Sequence, residues 1–263
     1  MRSEDVDDTG TAVPVPETVT RIVSLVPSLT ESVAETVPGA LVGATDWCTH
    51  PAGLDVARVK GTKNPDLDLI RRLRPDVVLA NAEENRAPDI EALREAGVPV
   101  WVTRIETLEQ AFASLGRMFA LACRAGRPGW LDRAEESWGA PYEGPRRTAV
   151  IPIWRRPWMV VGRDTFTGDV LARLGVDNHY ARHPDRYPKI PLPELVEARP
   201  DLVVLPDEPY AFSAADGPES FPGLPCALVS GRLLTWYGPS LVTARAGLET
   251  ALSADRAGPG PSL

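Results

Sequence analysis

The feature that most constrains this chain is an internal repeat. Leu73-Arg74-Pro75-Asp76-Val77-Val78-Leu79 returns as Ala198-Arg199-Pro200-Asp201-Leu202-Val203-Val204-Leu205, at an offset of 125. Ala96–Thr103 resembles Gly223–Ser230, with Pro99 answering Pro225 at an offset of 126, and Arg21–Leu25 resembles Thr148–Pro152 at an offset of 127. Three matches in one order, at nearly one spacing, predict two halves of one design. A long period with only two copies means two lobes rather than a solenoid.

Each half alternates short apolar runs with helical patterns. Ile22–Val26, Leu41–Ala44, Val77–Ala80 and Val98–Val102 are continuous apolar runs, as strands buried on both faces are. A helix is expected from Ser28, where Ser28-Leu29-Thr30-Glu31 fits a capping box. Others are expected over Ala87–Ala96, with Gly97 as the terminating residue, and over Glu106–Cys123. The second half repeats the scheme, with strands near 148–153, 202–206 and 226–229 and helices near 164–174, 193–198 and 239–253. This alternation predicts an α/β fold of two lobes with parallel sheets. The boundaries read as an acidic disordered segment over 1–19, a first lobe over 20–124, a helical linker over 125–147, a second lobe over 148–255 and a disordered tail over 256–263.

Charge and composition exclude several functions. The net charge is −8 and no Lys/Arg cluster reads as a phosphate-binding face, so nucleic acid is not an expected partner. Residues 1–20 hold Glu4, Asp5, Asp7 and Asp8 and no apolar run, which fits no secretory signal, so the sequence as written predicts a cytoplasmic, monomeric protein. No segment approaches 18 uninterrupted apolar residues, and no membrane span is expected. The three cysteines (Cys48, Cys123 and Cys226) are widely spaced and imply no disulfide framework. Dinucleotide, P-loop, nucleophile-elbow and H-E-x-x-H motifs are all missing.

Ligands of open parallel sheets bind beyond the carboxyl ends of the strands. Those positions here carry Ser28, then Trp47, Cys48 and His50, then Glu83, Glu84 and Arg86. In the second half they carry Trp154 and Trp158, then Asp207, Glu208 and Tyr210, then Trp236 and Tyr237. Four of the seven tryptophans fall in these loops. Such a lining suits a large, flat, partly polar ligand, because rings stack on planar faces and polar groups fix orientation. The plainer reading is that the tryptophans cover the sheet edges and that the acidic pairs favour helix starts. Cys48 and His50, two apart in an extended segment, share a side and could contribute two metal ligands. They could also form a Cys–His nucleophile pair, though no oxyanion-loop signature accompanies them.

Arg21-Ile22-Val23-Ser24-Leu25-Val26-Pro27-Ser28-Leu29-Thr30-Glu31, Leu41-Val42-Gly43-Ala44-Thr45-Asp46-Trp47-Cys48 and Arg74-Pro75-Asp76-Val77-Val78-Leu79 resemble the first lobe of the helical-backbone (class III) receptors. These are substrate-binding proteins of ABC importers for vitamin B12, iron-siderophores, haem and some metals. Gly61–Asp66, Glu83–Arg86, Ile153–Met159, Asp164–Phe166 and Asp207–Phe212 are similar to a subgroup near the cobalamin-binding branch. The resemblance covers roughly residues 20–255. It implies two Rossmann-like lobes, a linking helix and a cleft between the lobes that holds a corrinoid or other metal chelate, with no covalent cofactor, no catalysis and an ABC permease as partner. The chain departs from that pattern in its short linking helix and in Ala87, which stands where a docking glutamate is usual, with Asp89 and Glu91 nearby. The family is usually exported. The alternative function is a cytoplasmic enzyme or sensor acting on a metal-containing ligand through Cys48 and His50.

Overall fold

The structure, a computed structural model, describes residues 5–254. Residues 1–4 and the expected disordered tail over 256–263 lie outside the described residues. The chain divides into two compact units. The first comprises the described residues up to Ile105, Glu109–Asp132 and Tyr237–Pro239; the second comprises Glu106–Leu108, Arg133–Trp236 and the described residues from Ser240 onward.

In the first unit the expected apolar runs form β1 (Ile22–Ser24), β2 (Leu41–Ala44), β6 (Val77–Asn81) and β7 (Val100–Thr103). The two-residue β3 (Ala57–Arg58) joins them, and the sheet runs β3-β2-β1-β6-β7, all parallel. Helices α1 (Pro27–Thr36), α2 (Leu67–Leu73) and α3 (Ala87–Glu95) make the crossovers, and a small antiparallel hairpin, β4 (Lys60–Gly61) and β5 (Asn64–Pro65), precedes α2. Helix α4 (Leu108–Arg117) runs into a π-helical turn at Met118–Ala122 and is followed by α5 (Gly129–Trp138), the helix expected within the linker.

The second unit contains β8 (Arg147–Val150), β11 (Val176–Asn178), β12 (Leu202–Pro206) and β13 (Cys226–Val229), ordered β11-β8-β12-β13 and parallel throughout. Its helices are α6 (Phe166–Ala172), α7 (Leu192–Glu197), α8 (Gly231–Thr235) and α9 (Leu241–Ala254). A two-stranded ribbon, β9 (Pro152–Arg155) and β10 (Trp158–Val160), follows β8 directly. The order β2-β1-β6-β7 of the first unit thus matches β11-β8-β12-β13 of the second, and the repeated segments 77–80 and 202–205 are corresponding strands of separate sheets.

The repeated Arg-Pro-Asp does the same work in both units. A residue before proline is disfavoured in the right-handed helical region; Arg74 and Arg199 adopt φ values of 45° and 44° and end the preceding helices. The aspartate then holds the start of the neighbouring strand. Asp76 accepts from the Thr20 amide at 2.7 Å and the Arg21 amide at 2.9 Å, and Asp201 accepts from the Thr148 amide at 2.7 Å and its hydroxyl at 2.9 Å. Burial alone would raise the Asp76 carboxyl, but the Thr20 and Arg21 donors outweigh it and hold it below the usual range; the Thr148 amide holds Asp201 low. A lowered folded pKa stabilises the fold above the unfolded value and ceases to do so as pH falls through the folded one. Asp201→Asn should therefore cost about 1 kcal/mol at pH 7, the scale of hydrogen bonds to a charged group moderated by exposure. The difference from the native chain should shrink below pH 4. A constant difference across the acid range in urea titrations would remove the carboxylate from the explanation.

Residues 5–19 correct the expectation of a disordered acidic segment. Val6 bridges Ala12, Val13 and Val15 are buried, and the acids find arginines. Asp5 pairs with Arg124 at 2.6 Å, Asp7 with Arg94 at 2.8 Å and Asp8 with Arg117 at 3.6 Å. The same residues close the outer edge of β7. The Asp8 amide donates to Val102 O (3.1 Å), Asp7 Oδ2 accepts from the Val102 amide (3.2 Å), Asp8 Oδ2 accepts from the Arg104 amide (3.1 Å), and Arg94 donates to Val100 O (3.2 Å). Acidity suggested solvation because the partners lie about a hundred residues away.

Ser28 is also corrected. Helix α1 begins at Pro27, with Val26 as its N-cap and no side-chain cap, so Ser28 lies inside the first turn and makes no capping box. Gly97 does terminate α3, with φ 78° and its amide on Arg94 O.

Candidate functional site

Because each sheet is parallel, all its strands end on one edge, and the loops beyond them are neighbours there. In the first unit the loop after β6 is the most tightly built. Asn81 Oδ1 accepts from the Glu83 amide (2.9 Å) and the Glu84 amide (3.2 Å), while Asn81 Nδ2 reaches Thr103 O and Oγ1 at 3.1 Å. Asn85 Oδ1 accepts from the Asn81 amide, and Asn85 Nδ2 donates to Leu25 O and Thr62 O. Both asparagines are buried. Sequence reading named Glu83, Glu84 and Arg86 here and missed the two asparagines that shape the loop; the available signal was an Asn at the strand end with another four residues on.

The hairpin β4–β5 is the piece that joins the first unit's loops. Lys63 Nζ donates to Glu83 O at 2.6 Å, and exposed Arg86 reaches Lys63 O at 3.5 Å and Asp89 at 3.9 Å. Gly61 lies against Trp47: a Cβ there would stand 3.3 Å from the indole Nε1. Trp47, Glu83 and Arg86 are therefore brought around one hairpin, and Trp47 remains 67% exposed. Desolvation by surrounding protein pushes the Glu84 carboxyl up, with Lys63 opposing and Glu83 adding like charge; the side chain is solvent-exposed, so the effect is screened.

Cys48 and His50 do not form the expected pair. The Cys48 side chain is fully buried, with the Thr30 hydroxyl donating to Sγ at 3.0 Å and the Thr45 hydroxyl 3.1 Å away. Burial pushes its thiol up, against the hydrogen bonds of Thr30 and Thr45, which disfavours the thiolate that metal binding or nucleophilic attack requires. His50 is half-buried, its Nδ1 3.2 Å from Thr49 Oγ1. No group of three His, Cys, Asp or Glu among the described residues could hold a metal ion. The loop turns after Trp47, so the alternation assumed for an extended segment does not apply. Burial likewise pushes Cys123 up to about 12. A thiol-specific reagent at neutral pH is expected to modify Cys226, which is half-buried, well before Cys48 or Cys123, and all three only in denaturant. Rapid labelling of Cys48 in the folded protein would restore it as a reactive group.

In the second unit an aromatic array grows from the β9–β10 ribbon. Trp154 meets Tyr210 edge-on at 5.7 Å, Tyr210 meets Phe212 at 4.6 Å, and Trp158 lies parallel to Phe212 at 6.0 Å and edge-on to Phe221 at 5.3 Å. The Tyr210 hydroxyl donates to Asp216 at 2.6 Å. Trp158 and Tyr210 pack against the unit's core with Ile190, Phe212 and Phe221. Trp158, named above as a candidate ligand contact, is half-buried, and its packing against the core gives it a part in the fold as well. Trp154 is 43% exposed, its outer surface unclaimed by the core.

The remaining residues separate. Asp207 is exposed and accepts from the Gly231 amide at 2.6 Å, bracing the loops after β12 and β13, and Glu208 lies against the same glycine. Trp236 is buried, with the Arg232 guanidinium 5.8 Å above its ring. Tyr237 is buried in the first unit beside α1: a side chain on the next residue, Gly238, would meet Ser32 Oγ at 2.9 Å and Ser28 O at 3.0 Å. Ser28, Trp236 and Tyr237 thus present little surface to a ligand within their own units.

Two exposed tryptophans, Trp47 in a strand-end loop of the first unit and Trp154 on the β9–β10 ribbon of the second, offer stacking surfaces. The chain is 24% identical over 195 residues to the vitamin B12-binding protein of Vibrio parahaemolyticus, covering 71% of this chain and 70% of that one. Its fold is similar to that of the periplasmic vitamin B12 binding protein BtuF of Vibrio cholerae, with a TM-score of 0.72 at 16% identity over 91% and 99% of the two chains. It is equally similar to the periplasmic heme-binding protein RhuT of Roseiflexus, with a TM-score of 0.72 at 19% identity over 90% and 99%. Matched from residue 22 to residue 219, the chain belongs to the periplasmic binding protein family.

Proposed function

We propose that this protein binds a corrinoid or another metal chelate, such as an iron-siderophore or haem, and delivers it to an ABC permease without transforming it. The observation that carries the reading is the pair Trp47 and Trp154: large aromatic surfaces left in solvent at the carboxyl edges of the two sheets, where a planar ligand can stack. Relatives named for vitamin B12 binding and fold neighbours named for vitamin B12 and haem support the ligand class. The family name argues for work in the periplasm or outside the cell, and the cytoplasmic placement drawn from residues 1–20 finds no support there. No helix among the described residues is long and apolar enough to cross a membrane. The alternative of an enzyme or sensor using Cys48 and His50 is disfavoured by the burial of Cys48.

The test is titration with cyanocobalamin, hemin and a ferric siderophore, read by quenching of tryptophan emission and by the visible spectrum of the chelate. One of the three should saturate at a one-to-one ratio and leave its absorbance on the protein after gel filtration. If none saturates, the chelate reading falls.

A further inference from the structure

The second unit has a separate hollow at the turn of the β9–β10 ribbon. It is an open, shallow hollow of about 560 Å3, lined by Arg155, Arg156, Pro157, Trp158, Lys189, Ile190 and Pro191. Residues 155 and 158 pair across the ribbon and share a face, whereas Trp154 pairs with Met159 on the other. The hollow is therefore not the Trp154 surface, and its occupancy is independent of the chelate reading.

Every ionisable residue lining it is cationic, on a chain of net charge −8, and no carboxylate lines it. The three cations differ. Arg155 is committed: it is ion-paired with Asp216 and Glu219, lies 3.1 Å from the Ser220 hydroxyl, and its guanidinium stands 5.5 Å from the Trp158 ring. Arg156 and Lys189 are exposed and have no ion pair among the described residues. The opposite wall is apolar and preset, because Trp158 and Ile190 are packed into the core with Phe212 and Phe221. Two uncommitted cations beside a rigid apolar wall define a ligand class: a small flat body ending in a carboxylate or phosphate. The apolar body replaces water on Trp158, Pro157 and Pro191, and the anion takes charge-assisted hydrogen bonds from Arg156 and Lys189. The volume falls within the range of small-molecule sites.

We infer that this hollow is a binding site for a small amphipathic anion, with Arg156 and Lys189 as the residues that select the charge. The experiment titrates the full chain with 1-naphthoate, 1-naphthyl phosphate and the neutral 1-naphthamide, following the Ile190 methyl resonance and tryptophan emission. Both anions should shift Ile190 saturably, and the amide should bind at least about tenfold more weakly, one charge-assisted contact's worth. The stronger anion reports whether carboxylate or phosphate is preferred. In Arg156→Gln/Lys189→Gln, whose altered side chains are exposed, anion affinity should fall about tenfold or more while amide affinity and the thermal melt hold. Equal binding of amide and anions, unchanged affinity in the double variant, or an unmoved Ile190 at millimolar ligand would each overturn the assignment.

Discussion

Asp7→Ala should destabilise the protein by about 3 kcal/mol, the scale of breaking one side of a buried ion pair. The Asp7 side chain is wholly buried. Its Oδ1 accepts from the Thr9 amide and hydroxyl and from the Thr11 amide, and its Oδ2 from Arg94 and the Val102 amide. Alanine leaves these donors facing a void, with Arg94 keeping Val100 O and Glu91 as partial compensation. Asp7→Asn retains the shape and should cost somewhat less, because one oxygen can still accept while the charge is lost. Urea denaturation checks both: the midpoint should fall with the slope unchanged. A loss under about 1 kcal/mol for alanine would mean that the segment over residues 5–15 is held by Val13 and Val15 rather than by its carboxylates.

Trp154→Ala should cost about 2 kcal/mol of chelate affinity, or roughly thirtyfold, on the scale of an aromatic anchor in an interface. Its exposed face contributes little to folding, so thermal stability should change only by the loss of its edge contact with Tyr210, about 0.5–1.5 kcal/mol. Trp158→Ala is the contrast. Its ring packs between Phe212 and Phe221, and the substitution should lower stability by about 3 kcal/mol, as for deletion of a large core aromatic that is only partly enclosed. Comparing the two by calorimetry for binding and by thermal melts for folding separates surface from scaffold. Should Trp154→Ala bind as the native chain does, stacking on the second unit plays no part in recognition.

The repeat was the most legible part of the sequence because apolar runs and the Arg-Pro-Asp motif are local signals with local causes. The aspartate's strand contact and the arginine's left-handed turn come directly from them. Helix α2 and the hairpin β4–β5 were missed because they are short: seven residues and two pairs give no period to read. For the site, sequence position identified the strand-end loops but not which way side chains turn. Trp47 and Trp154 point to solvent, whereas Cys48 and Trp236, one or two residues from polar loop positions, turn inward. Asn81 and Asn85 escaped notice because their role is to satisfy backbone groups, and which groups are in need depends on partners such as Thr62 and Thr103.

The segment that closes β7 carries a consequence for the order of assembly. Its acids contact Arg94, Arg117 and Arg124, separated from them by 87 to 119 residues. At about 5–20 residues per second, synthesis exposes that segment on the order of ten seconds before its last partner exists. Through that interval Asp5 and Asp8 wait for Arg124 and Arg117, whereas β7, when it emerges, finds Asp7, Asp8 and Arg94 already made. The segment is therefore fully tied down only when the chain has passed Arg124, and until then its hold on the sheet rests on the contacts of Asp7 and Asp8 with β7 and Arg94. Closing so long a loop is slow relative to local helix formation, which places this contact late in folding.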